Sequence, residues 1–88
     1  MRGEIVSSGT EICQGKYADT NAQYLSAELT KYGVRVEWHT TTLDDPRLLR
    51  TALALAARRA DIIVMTGGLG PTEDDYTRKI LADLCGAP

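Results

Sequence analysis

The sequence predicts an α/β fold in which a parallel sheet carries helices on both faces. Three observations predict it. Short strand-like runs alternate with amphipathic stretches in the order β-α-β-α-β-α, which favours parallel strands joined by helical crossovers. The third run, Ile62-Ile63-Val64-Met65, is wholly apolar, as expected for a strand covered on both faces. That run then empties into a glycine-rich loop, Thr66-Gly67-Gly68-Leu69-Gly70-Pro71-Thr72-Glu73-Asp74-Asp75-Tyr76-Thr77, loaded with carboxylates and hydroxyls.

Each element has its own signals. Ile5-Val6-Ser7-Ser8 reads as a strand ending at Gly9, and residues 9–19 read as a loop with Gly9 and Gly15 near its ends. A helix is expected from about Asn21 to Tyr32. Ala22, Leu25, Leu29 and Tyr32 recur at helical spacing, with Thr20 as N-cap and Gly33 just past the end. Val34-Arg35-Val36-Glu37-Trp38 alternates apolar and polar residues, the mark of a strand with one exposed face. Asp45-Pro46 opens a second helix with Asp as cap and Pro at the first helical position. Its expected buried stripe is Leu48, Leu49, Ala52, Leu53 and Ala56, and Arg58 and Arg59 suit the negative end of its dipole. A last helix is expected near Thr77, with Ile80, Leu81 and Leu84 on its apolar face and Gly86-Ala87-Pro88 ending it. If strand one is central, in the order 2-1-3, the topological switch point lies between strands one and three. The loops at residues 9–21 and 67–77 then open at one crevice, where open α/β sheets bind ligands.

With 88 residues the chain is at most one domain, and its core is small: such a chain buries only about 60–65% of its unfolded surface. Its net charge of −2, with Lys and Arg scattered, excludes the basic stripe that nonspecific nucleic-acid binding needs. No apolar run approaches the roughly 18–20 residues that span a bilayer, so no membrane is expected. Met1-Arg2-Gly3-Glu4 leads straight into a strand and shows no leader pattern. Cys13 and Cys85 lie far apart and His39 is the only imidazole, which argues against a zinc site or a disulfide scaffold. These features suit a reducing cytoplasm.

The chemistry concentrates in two loops. Gly67, Gly68 and Gly70 let backbone N–H groups approach a ligand without side-chain interference, so they are candidates for a phosphate cradle, against the plainer reading of a tight strand-to-helix turn. Thr66 and Thr77 add hydroxyls, although Thr77 also suits a helix cap. Asp74 and Asp75 set negative charge beside that cradle, with Glu73 read as solvated surface. An anion site next to carboxylates makes sense if a divalent cation such as Mg²⁺ bridges the two. In the first loop Gly9, Thr10, Glu11, Asp19 and Asn21 line the other wall. Glu11 or Asp19 would hydrogen-bond a ligand or hold a cation; their alternative is loop self-structure. Lys16 is either a phosphate contact or simply solvated. Trp38 is expected to pack on a sheet face.

Ser8-Gly9-Thr10-Glu11-Ile12, Gly15 and Asp19-Thr20-Asn21-Ala22-Gln23-Tyr24-Leu25 together resemble the opening of the competence/damage-inducible protein A (CinA) N-terminal domain. The loop from Thr66 to Thr77 is similar to that family's signature, T-G-G-x-G followed by Asp-x-Thr, which Asp75 and Thr77 satisfy. That domain belongs with the MoaB and Mog proteins to a broader molybdopterin-binding group. The resemblance covers nearly the whole chain. It implies a three-layer α/β/α fold, with residues 1–88 the N-terminal portion of a single domain nearly twice this length. It implies a crevice for a phosphorylated nucleotide or pterin. In the molybdenum-cofactor branch the ligand is molybdopterin, adenylylated with ATP and Mg²⁺. In the CinA branch, which the first motif favours, the chemistry is divalent-metal-dependent ADP-ribose pyrophosphatase. Carried onto this chain, Asp75 becomes the catalytic and metal-binding carboxylate, with Asp74 a further metal ligand. Asp44, after strand two, becomes a second catalytic carboxylate. Helix capping is the alternative for both Asp44 and Asp75. Leu43 stands where the family often has glycine, and Cys13 where it usually has an aliphatic residue, so Cys13 is expected to be core-adjacent and inert. Water would be the attacking group, since no Ser-His or Cys-His pair is in view. Two other classes compete: a binding module without turnover, and an oligomerising fragment whose third strand is an open edge. Self-association is expected in either case.

Overall fold

The computed structural model describes residues 1–67; the expected last helix, with Gly68, Gly70, Glu73, Asp74, Asp75 and Thr77, lies outside the described residues. The described elements are β1 (Arg2–Ser8), α1 (Thr10–Cys13), α2 (Thr20–Lys31), β2 (Arg35–Thr42), α3 (Pro46–Arg59) and β3 (Ile62–Gly67). The sheet has the order β2-β1-β3, and both pairings are parallel. This is the expected α/β topology with strand one central. No described helix is long and apolar enough to cross a membrane.

Several boundaries differ from expectation, each for a local reason. β1 begins at Arg2 rather than Ile5, because Gly3 lets the strand lie against Val34. A Cβ at Gly3 would sit 2.7 Å from Val34 Cγ1. The cap of α2 is Asp19, not Thr20: its Oδ1 accepts the Ala22 N–H at 2.9 Å, which leaves Thr20 as the first helical residue. Gly33 ends that helix at φ 84°, and the Val34 N–H folds back onto the Leu29 carbonyl at 3.0 Å. Residues 10–13 form one helical turn, α1, within the span read as loop. β2 runs on to Thr42 because its threonines are β-branched and fit a strand despite their polarity. Asp45 caps α3 as expected, accepting the Arg47 N–H at 2.8 Å, with Pro46 at the first helical position.

The core lies between β1 and α3. Val6, Leu49, Ala52, Leu53 and Ala56 pack together, with Ile63 and Met65 of β3 against them. Leu48, expected in this stripe, is exposed. It lies on the helix flank with Leu55, one side of the line drawn by 49, 52, 53 and 56. Tyr32, also expected inside, caps the end of α2 and is exposed. The residues of β3 are each partly buried rather than fully covered. Strand alternation sends Glu4, Val6 and Ser8 toward α3, and Gly3, Ile5 and Ser7 toward α2. The two helices therefore cover opposite faces, which makes three layers.

Glu4 was not anticipated. Its side chain has no solvent exposure, although it sits in the central strand. The Arg59 guanidinium meets it with two hydrogen bonds, Nε to Oε1 at 2.8 Å and Nη2 to Oε2 at 3.0 Å. Thr40 Oγ1 donates to Oε2 at 2.7 Å. Arg59 also stacks 3.7 Å from the Trp38 ring centre, so Trp38 packs on the sheet face against a cation. The Arg59 hydrogen bonds hold the Glu4 carboxyl below its ordinary value of 4.5, against the opposing pull of burial. A depressed carboxylate contributes stability that is full above pH 4.5 and is lost as pH falls through the lower folded value.

Arg59→Met strands a buried carboxylate and is expected to lower the urea midpoint at neutral pH by about 1–2 M. Burial without a counter-charge then raises the Glu4 pKa, so the variant's deficit against wild type shrinks as pH falls below 4.5. Urea melts at neutral and acidic pH check this. A deficit that grows in acid would contradict the pairing.

Candidate functional site

The C-terminal ends of β1 and β3 are neighbours, with Ser8 opposite Gly67. Gly67 has φ 91°, and a Cβ there would run into the Ser8 carbonyl. Only glycine allows this approach. The backbone thereby joins the first loop, which begins at Gly9, to the strand end that carries Thr66 and Gly67. The expected strand order, with strand one central, makes these two strand ends neighbours; the second loop from Gly68 onward lies outside the described residues.

Two groupings follow from that junction. The first centres on Asp44. Its Oδ1 accepts the Ser8 hydroxyl at 2.8 Å, and its Oδ2 accepts the Thr10 N–H and hydroxyl, each at 3.3 Å. The Asp44 N–H returns a bond to Thr10 Oγ1 at 3.2 Å. Just ahead of these residues the Gly9 N–H bonds the Thr42 carbonyl at 2.9 Å. Asp44 thus ties the exit of β1 to the exit of β2, and both of its oxygens are in use. Gly9, Thr10 and Asp44 come together as a brace. Ser8, which sequence reasoning left out, is its shortest contact. Leu43 beside it is unstrained, since no non-glycine residue among those described has positive φ.

The second grouping is a hollow of about 260 Å³ between α2 and β3, lined by Asn21, Tyr24, Leu25, Met65, Thr66 and Gly67. Asn21, Tyr24 and Leu25 stand at i, i+3 and i+4 and so share one helix face. Thr66 pairs with Ser7 across the sheet, which puts its side chain on the α2 face. This hollow gathers the expected residues Asn21, Thr66 and Gly67, and adds Tyr24 and Leu25. The remaining candidates are elsewhere. Asp19 has one oxygen committed to capping α2. Glu11 is exposed on α1, and Lys16 donates its backbone N–H to the Glu11 carbonyl at 2.9 Å.

Cys13 departs from expectation. It is exposed, on the single turn of α1, none of whose residues is buried. It borders a separate apolar hollow of about 340 Å³ floored by β2 residues 40–42 and by Leu48, Ala52 and Leu55 of α3. Among the described residues no three His, Cys, Asp or Glu side chains converge on a metal position. The expected metal carboxylates, Asp74 and Asp75, lie outside the described span.

The family described as "Probable molybdopterin binding domain" matches residues 4–88. A CinA-like protein of Dictyoglomus turgidum is 51% identical over 83 residues, which is 94% of this chain and 20% of that protein. The crystal structure of CinA from Thermoplasma acidophilum, whose function is given as unknown, superposes with a TM-score of 0.88 at 32% identity, over 98% of this chain and 52% of that one. The molybdopterin biosynthesis enzyme MoaB from Thermus thermophilus superposes with a TM-score of 0.77 at 25% identity, over 89% of this chain and 53% of that one. The chain therefore spans about a fifth of the curated relative and about half of each structural neighbour.

Two stability experiments test the site's construction. Gly67→Ala is expected to cost clearly more than about 1 kcal/mol, and more than Gly33→Ala, where φ is also positive but the added Cβ meets nothing. Equal losses in urea melts would remove the close approach of Ser8. Asp44→Ala removes the acceptor for the Ser8 hydroxyl and for the Thr10 N–H and hydroxyl, so it is expected to cost about 1–3 kcal/mol and to speed hydrogen exchange at the Thr10 amide. Asp44→Asn keeps an amide oxygen for Thr10 and turns its NH2 to the Ser8 hydroxyl, which can accept, so it is expected to lose less. An Asp44→Ala variant with wild-type stability and unchanged exchange would show that the brace contributes nothing.

Proposed function

Because the chain belongs to the probable molybdopterin binding domain family, we propose that it forms part of a CinA-type site for a phosphorylated nucleotide or pterin. The observation that carries this is the Ser8–Gly67 junction at the switch point of a parallel sheet, with an open hollow directly beside it. In this reading the backbone N–H groups of Gly67, Gly68 and Gly70 face the phosphates, with Thr66 and Thr77 adding hydroxyls. Gly9, Thr10, Glu11, Asp19 and Asn21 form the opposite wall. The favoured ligand is ADP-ribose, and the reaction is attack of water on its phosphoanhydride, with Asp75 as the acting carboxylate. Asp44 acts through Thr10, whose N–H and hydroxyl it holds. Holding such groups in place is where a site of this kind gains rate.

The described residues do not by themselves fit a divalent cation: no acidic cluster converges, and Asp44 spends both oxygens on Ser8 and Thr10. The proposed Mg²⁺ is therefore assigned to Asp74 and Asp75. There it would offset phosphate charge. The second reading is pterin binding as in molybdenum-cofactor synthesis, favoured by the likeness to MoaB. We further propose a cytoplasmic setting and self-association, which sedimentation at two protein concentrations tests.

ADP-ribose incubated with the 88-residue chain and Mg²⁺ is expected to yield AMP, and Asp75→Asn or a chelator is expected to abolish it. Chromatography of the products is the readout. Calorimetric binding without AMP would assign a binding module instead. Tighter binding of a pterin phosphate than of ADP-ribose would select the second reading.

A further inference from the structure

The hollow beside Gly67 is too small for a whole ligand. Pockets that enclose a complete small molecule start at roughly 300 Å³, and this one measures about 260 Å³. It is sized for one end of a ligand, and its lining says which end. Gly67 belongs both to the hollow and to the glycine loop, so the phosphate end lies at the loop and the other end falls under α2.

That wall of α2 is unlike a phosphate site. Asn21, Tyr24 and Leu25 present an amide, an aromatic ring and an aliphatic side chain on one helix face. Leu25 is partly buried, while Tyr24 is 65% exposed at the rim. Tyr17 and Tyr32 are at least as exposed, yet neither borders this hollow or the apolar one beside Cys13. An exposed ring at the mouth of a shallow hollow is a stacking platform, and flat heteroaromatic rings stack regardless of their hydrogen-bonding pattern. The Asn21 amide adds both donors and an acceptor at the edge.

Resting on the proposed phosphate-binding function, we propose that Tyr24, with Leu25 and Asn21, forms the subsite for the ligand's bicyclic nitrogen heteroaromatic ring. Tyr24 stacks on the ring, Leu25 backs it, and Asn21 reads its edge. A purine and a pterin share this chemistry. Tyr24 contributes little to the core, so replacing it leaves the fold in place.

Calorimetry on the 88-residue chain with AMP, neopterin monophosphate and ribose 5-phosphate separates the possibilities, since the last probe has the phosphate but no ring. Wild type is expected to bind a ring-bearing probe more tightly than ribose 5-phosphate, and the tighter of AMP and neopterin monophosphate identifies the ring. Tyr24→Ala is expected to weaken that probe about 5- to 100-fold while leaving ribose 5-phosphate unchanged, and Tyr24→Phe is expected to retain wild-type affinity. Equal affinity for all three probes in wild type, or an unchanged ring-bearing probe in Tyr24→Ala, overturns the ring subsite and leaves the phosphate reading standing. Failure of wild type to bind any of the three overturns both.

Discussion

A carboxylate with no access to water sits in the central strand, and the α3 face of the molecule is arranged around it. Burying Glu4 unpaired is costly enough that a cation must be delivered to it. Arg59, the last residue of α3, supplies it. Helix side chains lean toward the helix N-terminus, so an arginine in the last turn reaches back along the strand it crosses. This fixes where α3 ends over β1. The opposite end of the helix is fixed independently, because Asp44, just ahead of the Asp45 cap, bonds Ser8 and Thr10. Glu4 and Ser8 lie on the same face of β1, four residues apart. One strand thus holds one helix at both ends, and the helix can neither slide along the sheet nor lift from it without breaking one set of bonds.

The site inherits its geometry from this double attachment. With α3 fixed, the turn that follows β2 has one position, and Asp44 brings the start of the first loop to it. The close approach of Gly67 to Ser8 then sets where the third strand ends relative to that loop. On the other face, α2 starts from its Asp19 cap, and its first two turns overhang the end of β3. The Ser8–Gly67 junction and the hollow under α2 are therefore parts of one frame built from strand ends. That is where precision is easiest to hold, because the positions come from sheet register and not from loop conformation.

Much of this frame was legible in the sequence. The β-α-β-α-β order, the Asp45-Pro46 start of α3 and the apolar stripe at 49, 52, 53 and 56 each follow a period or a cap that acts locally. The residues that escaped reading act at a distance. A glutamate between Gly3 and Ile5 looks like the exposed side of a strand, and only the fold brings Arg59 to it. Ser8 reads as a strand end and Thr10 as a ligand contact until Asp44, dozens of residues later, accepts from both. The threonines that extend β2 were obscured by their hydroxyls, although their branched carbons set their preference. Thr20 and Asp19 are both good caps, and composition does not choose between neighbours. Of the candidate site residues, Asn21, Thr66 and Gly67 line one hollow. Tyr24 and Leu25 were visible as helix residues, but which face of α2 overhangs β3 is a tertiary fact.

The two attachments of α3 differ in kind, and the difference bears on function. A buried ion pair gains little net stability over an apolar core, but it penalises every arrangement that separates its partners, so the Glu4 end serves chiefly to specify register. The Asp44 end is only part-buried and consists of hydrogen bonds, each of modest net worth. Such a contact can open without exposing a stranded charge. The frame is thus most strictly determined at the Glu4 end and least costly to adjust at the Asp44 end, beside the strand ends. Opening of Thr10 and the first loop breaks only the Asp44 hydrogen bonds and leaves the sheet and the α3 register as they are. Division of this sort lets a chain with so small a core keep one fold while its strand ends stay the less costly part to rearrange.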